Sequence, residues 1–275
     1  MSAAVAQFTG TPAWIEHNVY APARRTRQTP LLLQHGAWHG AWCWHDTATH
    51  LAGCGYEVHT LSLPAHGDSA DRKNGINKYS LADYTQFLYE RIDTITPAPA
   101  LIGHSLGGAL VQRCLTTRRL PAAVLLAPVP ISGALGATLR AARRAPGPVL
   151  RQLLLADGFA LVREPALAAH AFLGPQSTLK PQDLAAKLVP ESVRVLTALA
   201  LAPGFAPSKV STPLAVFAAE HDGIFTIDEQ QKTAQAYGAQ FRVMSGQGHD
   251  LMLEPAWRQL ADAIDGFLAD KVGVN

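Results

Sequence analysis

The segment GHSLGG at residues 103–108 constrains the fold more than any other part of this chain. A short apolar run at 99–104 predicts a β-strand directly before it, and the apolar spacing of 106–117 predicts a helix directly after it. A turn this tight between strand and helix leaves no room for side chains near its centre, which accounts for the glycines. The central residue, Ser105, is therefore expected on a strained turn at the end of a sheet, with a helix N-terminus behind it.

Strand-like and helix-like segments alternate on both sides of this motif. Strands are predicted at residues 14–20, 31–34, 56–63, 99–104, 122–127, 214–219 and 239–245, and helices at 44–51, 81–93, 106–117, 227–237 and 256–268. This alternation predicts an α/β fold with a mainly parallel sheet. The fully apolar run at 122–127 is typical of a sheet that is covered on both faces.

Residues 130–207 interrupt this alternation. They consist of helix-like segments rich in Ala and Leu that are broken by prolines, and they contain no convincing strand. We interpret them as a helical lid inserted into one domain, whose core is formed by residues 1–129 and 208–275. A chain of 275 residues is long enough for one large domain with such an insertion.

Charge and cysteine content narrow the class of protein. The formal net charge is only +2, and the one modest arginine cluster, at 140–151, is interpreted as a solvent-exposed helix face, so no nucleic-acid partner is expected. Three cysteines make a poor disulfide framework and suit a reducing compartment. Residues 1–7 lack a signal-peptide pattern, and no apolar stretch is long enough for a bilayer. We therefore expect a cytoplasmic monomer or homodimer with no membrane partner.

A serine hydroxyl is a weak nucleophile and needs a base that is oriented by a third group. Of the eleven histidines, His249 is the one that follows the last predicted strand. Asp222 follows the strand at 214–219, at the same edge of the predicted sheet. Ser105, Asp222 and His249 are therefore the candidate nucleophile, acid and base, in that order along the chain.

Three other acidic residues compete with Asp222 for its role. Glu220 lies nearer to the strand and is expected to point away, but it stays the main alternative. Asp228 is assigned to the start of the next helix. Asp250 directly follows His249, so its side chain is badly placed to orient that imidazole ring from behind.

An attacked carbonyl oxygen develops negative charge and needs hydrogen-bond donors. The residue after the nucleophile, Leu106, supplies one backbone N–H, and the loop after the strand at 31–34 supplies a second from Ala37. Trp38 is expected either to pack this loop onto the sheet or to line an apolar acyl pocket. Trp38 and His104 are the predicted substrate contacts.

A metal site is not expected among the histidines of residues 35–50 and Cys43. His45 and His50 do not share a helix face, and no HExxH or CxxC pattern supports them. We also expect no cofactor.

Taken together, these motifs make the chain resemble an α/β-hydrolase fold serine hydrolase over nearly its whole length. The resemblance is carried by HG at 35–36, LPAHGDS at 63–69, GHSLGG at 103–108, the loop of Asp222 and GQGH at 246–249. The segment HGAWHGAWCW at 35–44 is similar to the branch that contains plant methyl-ester esterases and hydroxynitrile lyases. The fold implied is a twisted, mainly parallel sheet flanked by helices, with a helical lid.

The resemblance implies ester hydrolysis through an acyl-enzyme on Ser105. Hydroxynitrile lyases of that branch carry a lysine after the catalytic histidine and a threonine in the oxyanion loop, whereas this chain has Asp250 and Ala37. Both departures favour ester hydrolysis, and the apolar lid predicts small to medium hydrophobic esters or lactones. Amide or C–C hydrolysis, lyase or perhydrolase chemistry and a non-enzymatic receptor stay alternatives, because this fold hosts all of them.

Overall fold

The computed structural model describes residues 4–9 and 11–272 of the chain. The strands are β1 (Ala4–Gln7), β2 (His17–Ala21), β3 (Leu31–Gln34), β4 (Val58–Leu61), β5 (Ala100–His104), β6 (Ala123–Leu126), β7 (Leu214–Ala219) and β8 (Gln240–Met244). The main helices are α1 (His45–Gly53), α2 (Leu81–Ile92), α3 (Leu106–Leu115), α4 (Leu135–Arg144), α5 (Pro146–Leu155), α6 (Pro165–Phe172), α7 (Pro181–Ala185), α8 (Val193–Leu201), α9 (Ile227–Tyr237) and α10 (Trp257–Val272). Residues 1–3 of the N-terminal segment interpreted above lie outside the described residues.

All eight strands form one sheet in the order β1-β2-β4-β3-β5-β6-β7-β8. The pairs β1–β2 and β2–β4 are antiparallel, whereas the six strands from β4 to β8 in this order are all parallel. Since the carboxyl ends of parallel strands meet at one edge, the loops after β3, β5, β7 and β8 converge there. The predicted mainly parallel α/β sheet is confirmed.

The two faces of the sheet are covered by different helices. Every residue of β3 is buried, and alternate side chains enter the two cores, with Leu32 on one face and Leu31 and Leu33 on the other. Helices α2, α3 and α9 contribute to the core of the first face, and α1 and α10 to the core of the second. Burial on both faces explains why the central strands are continuously apolar instead of alternating.

Side-chain caps fix the start of two helices that flank the sheet. The Ser80 hydroxyl accepts the backbone N–H of Asp83, and the Asp83 carboxylate accepts the backbone N–H of Ser80, which confirms the predicted start of α2. Thr226 and Glu229 form the same reciprocal capping box at α9. Each cap satisfies two N–H groups that have no partner within the helix.

The structure differs from the predicted elements mainly at the edges. The predicted strand at 14–20 begins only at His17, because a turn in which Ile15 N donates to Pro12 O precedes it. The edge strand β1 was not predicted, since it is short and its Val5 side chain is 48% exposed, so it shows no buried face. In the sheet, β1 and β2 are separated from β5, the strand that leads to Ser105, by β4 and β3.

Five helices, α4 to α8, lie between β6 and β7, which confirms a helical insertion. The boundaries assigned above, with residues 130–207 as lid, stay a prediction. Most of the arginine cluster lies on α4, a helix without buried residues, as interpreted. Arg140, whose side chain is 38% exposed, also donates to both carboxylate oxygens of Glu229 on α9 at 3.0 and 2.7 Å. Arg140 therefore connects the insertion to the core.

No helix in the described part of the chain has the length and apolar character needed to cross a membrane.

Candidate active site

The backbone at Ser105 has the strained geometry that the GHSLGG motif predicts. Ser105 has φ 51° and ψ −112° and immediately precedes α3. A Cβ on Gly103 would lie 2.5 Å from the Gly107 carbonyl oxygen, and one on Gly107 would overlap the carbonyl oxygen of Gln34. The glycines are therefore required because α3 packs directly against the ends of β3 and β5. This packing holds Ser105 at the edge where the loops converge.

Asp222 and His249 meet at the same edge, from the loops after β7 and β8. His249 Nδ1 lies 2.8 Å from Asp222 Oδ2, and both side chains are buried. The other carboxylate oxygen of Asp222 accepts the backbone N–H groups of Ile224 and Phe225 at 2.8 and 2.9 Å. Because a carboxylate only accepts, Nδ1 of His249 carries the proton, and Nε2 presents its lone pair.

The imidazole of His249 lies beside the chain segment that carries Ser105. Its ring centroid is 4.7 Å from that of His104, whose Nε2 donates to the His249 carbonyl oxygen at 3.0 Å. His249 Nε2 is buried and has no hydrogen-bond partner among the described residues, so the Ser105 hydroxyl does not yet donate to it. Hydrogen bonds of this type are often long or misaligned without substrate and tighten when substrate binds.

Ala37 and Leu106, whose backbone amides are the two predicted oxyanion donors, both line the cavity in front of Ser105. Neither N–H donates to an acceptor in the described part of the chain. The loop of Ala37 approaches closely, since a Cβ on Gly36 would lie only 3.0 Å from Ser105 Cβ. Two free amides next to a serine are suited to bind a developing oxyanion.

The competing acids have other partners. Glu220 reaches across to the loop after β8, where its Oε2 accepts the backbone N–H of Gly246 at 2.7 Å. Asp228 lies on the exposed face of α9 and pairs with Lys232 at 2.7 Å. Asp250 is buried against His39. Among these acids, Asp222 is the one hydrogen-bonded to the imidazole of His249.

Of the two predicted substrate contacts, Trp38 lines the cavity and His104 does not. Trp38 also anchors the insertion, because its Nε1 donates to Gly158 O at 2.6 Å and its carbonyl accepts from Val189 N at 2.9 Å. His104 lies behind Ser105 and does not line the cavity. Burial, assisted by the neighbouring His249, holds the pKa of His104 well below its usual range, so this ring stays neutral. We therefore assign His104 no substrate contact.

A cavity of about 550 Å³ extends from Ser105 into the helical insertion. Its wall is largely apolar and includes Ala137, Leu161 and Leu196 of the insertion together with Phe225 of the core. Such a cavity selects a substrate mainly by shape and apolar contact. Sequence analysis predicted an apolar pocket but not which helices form it, since that depends on how the insertion folds back.

The histidines of residues 35–50 do not converge on one point, and His35 and His50 each have a separate hydrogen-bond partner. His35 accepts from Leu63 N at 3.0 Å through Nε2, and His50 pairs with Asp262 on α10 at 2.7 Å. No cluster of three or more His, Cys, Asp or Glu side chains suited to a metal ion occurs within residues 4–9 and 11–272.

Several buried neutral histidines predict a loss of stability in acid. Burial holds the pKa of His35 well below its usual range, and burial together with His59 lowers the pKa of His17 to about 3. Since the unfolded chain binds these protons and the folded chain does not, stability is present above pH ~6.5 and falls as pH decreases. Each such histidine lowers the free energy of unfolding by up to about 1.4 kcal/mol for each pH unit of acidification.

Urea unfolding at pH 7.5 and pH 5 measures this effect, and the free energy of unfolding should be lower at pH 5. His17→Gln should reduce the difference between the two pH values. A protein equally stable at both pH values would contradict the prediction.

Comparison with known proteins places the chain in a family. The profile of the alpha/beta hydrolase family matches residues 31–263. Methyl jasmonate esterase 1 of Vitis vinifera is 36% identical over 88 residues, which is 31% of this chain and 33% of that protein. Methylesterase 4 of Arabidopsis thaliana is 36% identical over 80 residues, covering 28% and 30%. The matched segments thus span about a third of each of these relatives.

Solved structures support the same fold. Polyneuridine aldehyde esterase superposes with a TM-score of 0.66 at 22% identity, covering 89% of this chain and 99% of that one. A carboxylesterase of Bacillus subtilis gives a TM-score of 0.70 at 16% identity, covering 97% and 92%. The profile match over most of the chain, together with these likenesses, shows that the protein belongs to the alpha/beta hydrolase family and is related to the plant methylesterases within it.

Proposed function

We propose that this protein is a serine hydrolase that cleaves carboxylic esters. The observation that carries the proposal is the 2.8 Å contact between His249 Nδ1 and Asp222 Oδ2, beside a strained serine at the opening of an apolar cavity. Ser105, His249 and Asp222 have the residue types and chain order of a hydrolytic triad. The esterase relatives named above support the same activity.

In the proposed reaction, Ser105 Oγ attacks the ester carbonyl carbon while His249 Nε2 takes the hydroxyl proton. Asp222 holds the ring in the required tautomer and stabilises the imidazolium. The amides of Ala37 and Leu106 bind the oxyanion of the tetrahedral intermediate. His249 then gives its proton to the leaving alcohol, which departs and leaves an acyl group on Ser105.

Water completes the cycle. His249 removes a proton from a water molecule, which attacks the acyl carbon, and the C–O bond to Ser105 breaks as the proton returns to Oγ. The products are the free acid and the regenerated serine. Every group needed for these steps belongs to the chain or to water.

The cavity wall supports small to medium hydrophobic esters or lactones as substrates. Two arginines, Arg140 and Arg144, line the cavity, and Arg140 is occupied by Glu229 and by the carbonyl oxygen of Ile224. The remainder of the wall offers mainly alkyl and aromatic contacts. Methyl esters of apolar acids fit this description, and the names of the plant relatives point the same way.

Hydrolysis of p-nitrophenyl butyrate tests the proposal. We expect turnover that a fluorophosphonate abolishes with a stoichiometry of one label per chain. Stoichiometric labelling of Ser105 without ester turnover would instead favour amide or C–C bond cleavage at the same serine. Saturable binding of an apolar ester with neither labelling nor turnover would favour a receptor.

A larger side chain in the cavity should shift selectivity toward shorter esters. Ala137→Trp fills space that long acyl or alcohol groups would occupy, so kcat/KM for octanoate or octyl esters should fall by about 10-fold or more, while values for ethyl acetate change little. Two substrate series, one lengthened in the acyl group and one in the alcohol, measure this.

Ala142→Trp is the matched control, since Ala142 lies on the same helix but does not line the cavity. It should leave chain-length selectivity unchanged. Equal selectivity for Ala137→Trp and the wild type in both series would show that substrate does not use this cavity.

A further inference from the structure

A buried imidazole connects the two loops that carry the proposed chemistry. His39 Nδ1 lies 2.7 Å from the carbonyl oxygen of Ala37, and His39 Nε2 lies 2.9 Å from Asp250 Oδ2. The side chains of His39 and Asp250 are both fully buried. A carbonyl oxygen and an ionised carboxylate oxygen are acceptors only, so both ring nitrogens must donate. This arrangement therefore requires the doubly protonated, positively charged ring of His39.

The two ends of this bridge lie at functional positions. Ala37 is the proposed oxyanion donor of the loop after β3, and Asp250 directly follows the proposed base, His249, in the loop after β8. The backbone of Asp250 is fixed as well, because its N–H donates to Phe172 O at 3.0 Å. The contact joins residues that are 211 positions apart in the sequence. The bridge thus fixes the oxyanion loop relative to the histidine loop.

The surroundings favour an ion pair at this place. Trp42 stacks on the His39 ring at 5.4 Å between centroids, Phe172 meets it edge-on at 5.1 Å, and His104 does so at 6.0 Å. Of these three neighbours His104 is the titratable one, and burial holds its pKa well below its usual range, so it is neutral. Two further titratable groups near the pair, Cys43 and His35, are neutral, since burial raises the pKa of the thiol and lowers that of the imidazole. His249 and Glu254 also lie close enough to interact electrostatically with Asp250.

The interaction between His39 and Asp250 offsets the free-energy cost of burying their two charges. Burial by itself would lower the pKa of His39, but the charge and hydrogen bond of Asp250 outweigh it, and the pKa is raised. Burial would likewise raise the pKa of Asp250, and His39 holds it below its usual range. A buried charge without its partner is strongly destabilising, so removing either residue leaves the other as an unpaired buried charge.

We propose that His39 and Asp250 are positioning residues of the hydrolase, forming a buried ion pair that holds the oxyanion loop in register with the catalytic histidine loop. The proposal rests on the proposed function, since it concerns the alignment of that site. Neither residue touches the substrate. Their contribution is to orient Ala37 and His249 toward the same carbonyl group, and misplacement of such groups by about 1 Å costs on the order of 100-fold in rate.

The test compares His39→Gln with a matched control, His66→Gln. His66 is equally buried, and its nitrogens lie 3.1 Å from Pro64 O and 3.1 Å from Glu191 Oε2, but it connects the core to the insertion. We measure kcat and KM for p-nitrophenyl butyrate per active site, counted by complete fluorophosphonate labelling of folded protein. This normalisation removes losses that come only from unfolding.

His39→Gln should lower kcat per labelled site by about 10- to 100-fold with KM within about threefold, because alignment acts on the transition state. His66→Gln should leave kcat per site within about threefold. Asp250→Asn should reproduce the effect of His39→Gln, and the double variant should lose no more than the worse single one, since the two residues act as one unit. Unchanged kcat in His39→Gln, an equal loss in His66→Gln, or additive losses would overturn the proposal.

Nitrogen NMR of the wild-type protein gives a readout that does not depend on the variants folding. Both ring nitrogens of His39 should be protonated at pH 7, and a neutral ring would refute the ion pair. Absence of ester turnover by the wild type would instead reject the proposed function itself, so the two failures are distinguishable.

Discussion

Ser105→Ala should lower kcat for p-nitrophenyl butyrate by roughly 10⁶-fold, the loss seen when the nucleophile of a comparable triad is removed. The reason is chemical, because the methyl group cannot form the acyl-enzyme, and no other hydroxyl replaces it at the strained turn between β5 and α3. The folded state should be preserved, because the substitution removes one oxygen from a small side chain. Initial rates with matched circular dichroism spectra measure both.

Thr138→Ala is the control for Ser105→Ala. Thr138 also carries a hydroxyl group and lines the same cavity, but its Oγ1 donates to Ala134 O at 3.0 Å within its own helix. Its loss should change kcat by less than about threefold. Comparable rates for Ser105→Ala and the wild type would eliminate Ser105 as the nucleophile.

Asp222→Asn should lower kcat by roughly 10⁴-fold, the effect of the equivalent change in a serine protease triad. The structure gives the reason. The amides of Ile224 and Phe225 donate to one carboxylate oxygen, so the oxygen of the introduced amide takes that place, and its NH₂ group faces His249 Nδ1. Nδ1 must then accept, the ring proton moves to Nε2, and Nε2 can no longer take a proton from Ser105.

Glu220→Gln is the matched control for the acid. Glu220 lies in the same loop, and its carboxylate accepts the N–H of Gly246, a hydrogen bond that a glutamine oxygen can replace. We expect less than about a 10-fold loss of kcat. If Glu220→Gln caused the larger loss and Asp222→Asn the smaller one, the assignment of the acid would be reversed.

Sequence alone predicted the fold and the elements that surround the site, because both depend on local patterns. The continuous apolar runs of β5, β6 and β7 require burial on both faces, and the glycines around Ser105 require close packing of α3 against the sheet. The chain order of Ser105, Asp222 and His249 then follows from the order of strands whose carboxyl ends share one edge. These inferences do not depend on knowing the tertiary contacts between side chains.

Contacts between distant segments were not predictable in the same way. His104 was expected at the substrate but lies behind the serine, because alternation along β5 does not show how the loop of His249 covers it. The contact of Arg140 with Glu229 was not expected, since Glu229 belongs to a helix in another part of the chain. In both cases the missing information was a tertiary contact.

One feature of the sequence indicates that Asp250 has a buried partner. Asp250 is followed by the apolar residues Leu251, Met252 and Leu253, and an acid in an apolar segment of the core needs a cationic or donor partner. The position of Asp250 directly after His249 excludes it as the acid of the triad but does not show which residue it pairs with. The identity of the partner required the structure.

A crystal structure of the protein after reaction with a small alkyl fluorophosphonate tests the proposed geometry most directly. We predict phosphorus bonded to Ser105 Oγ, the phosphoryl oxygen about 3 Å from the amides of Ala37 and Leu106, and His249 Nε2 facing the adduct. Phosphorus bonded to a different residue, or His249 turned away from the adduct with Nε2 beyond hydrogen-bonding distance, would contradict this assignment of the active site.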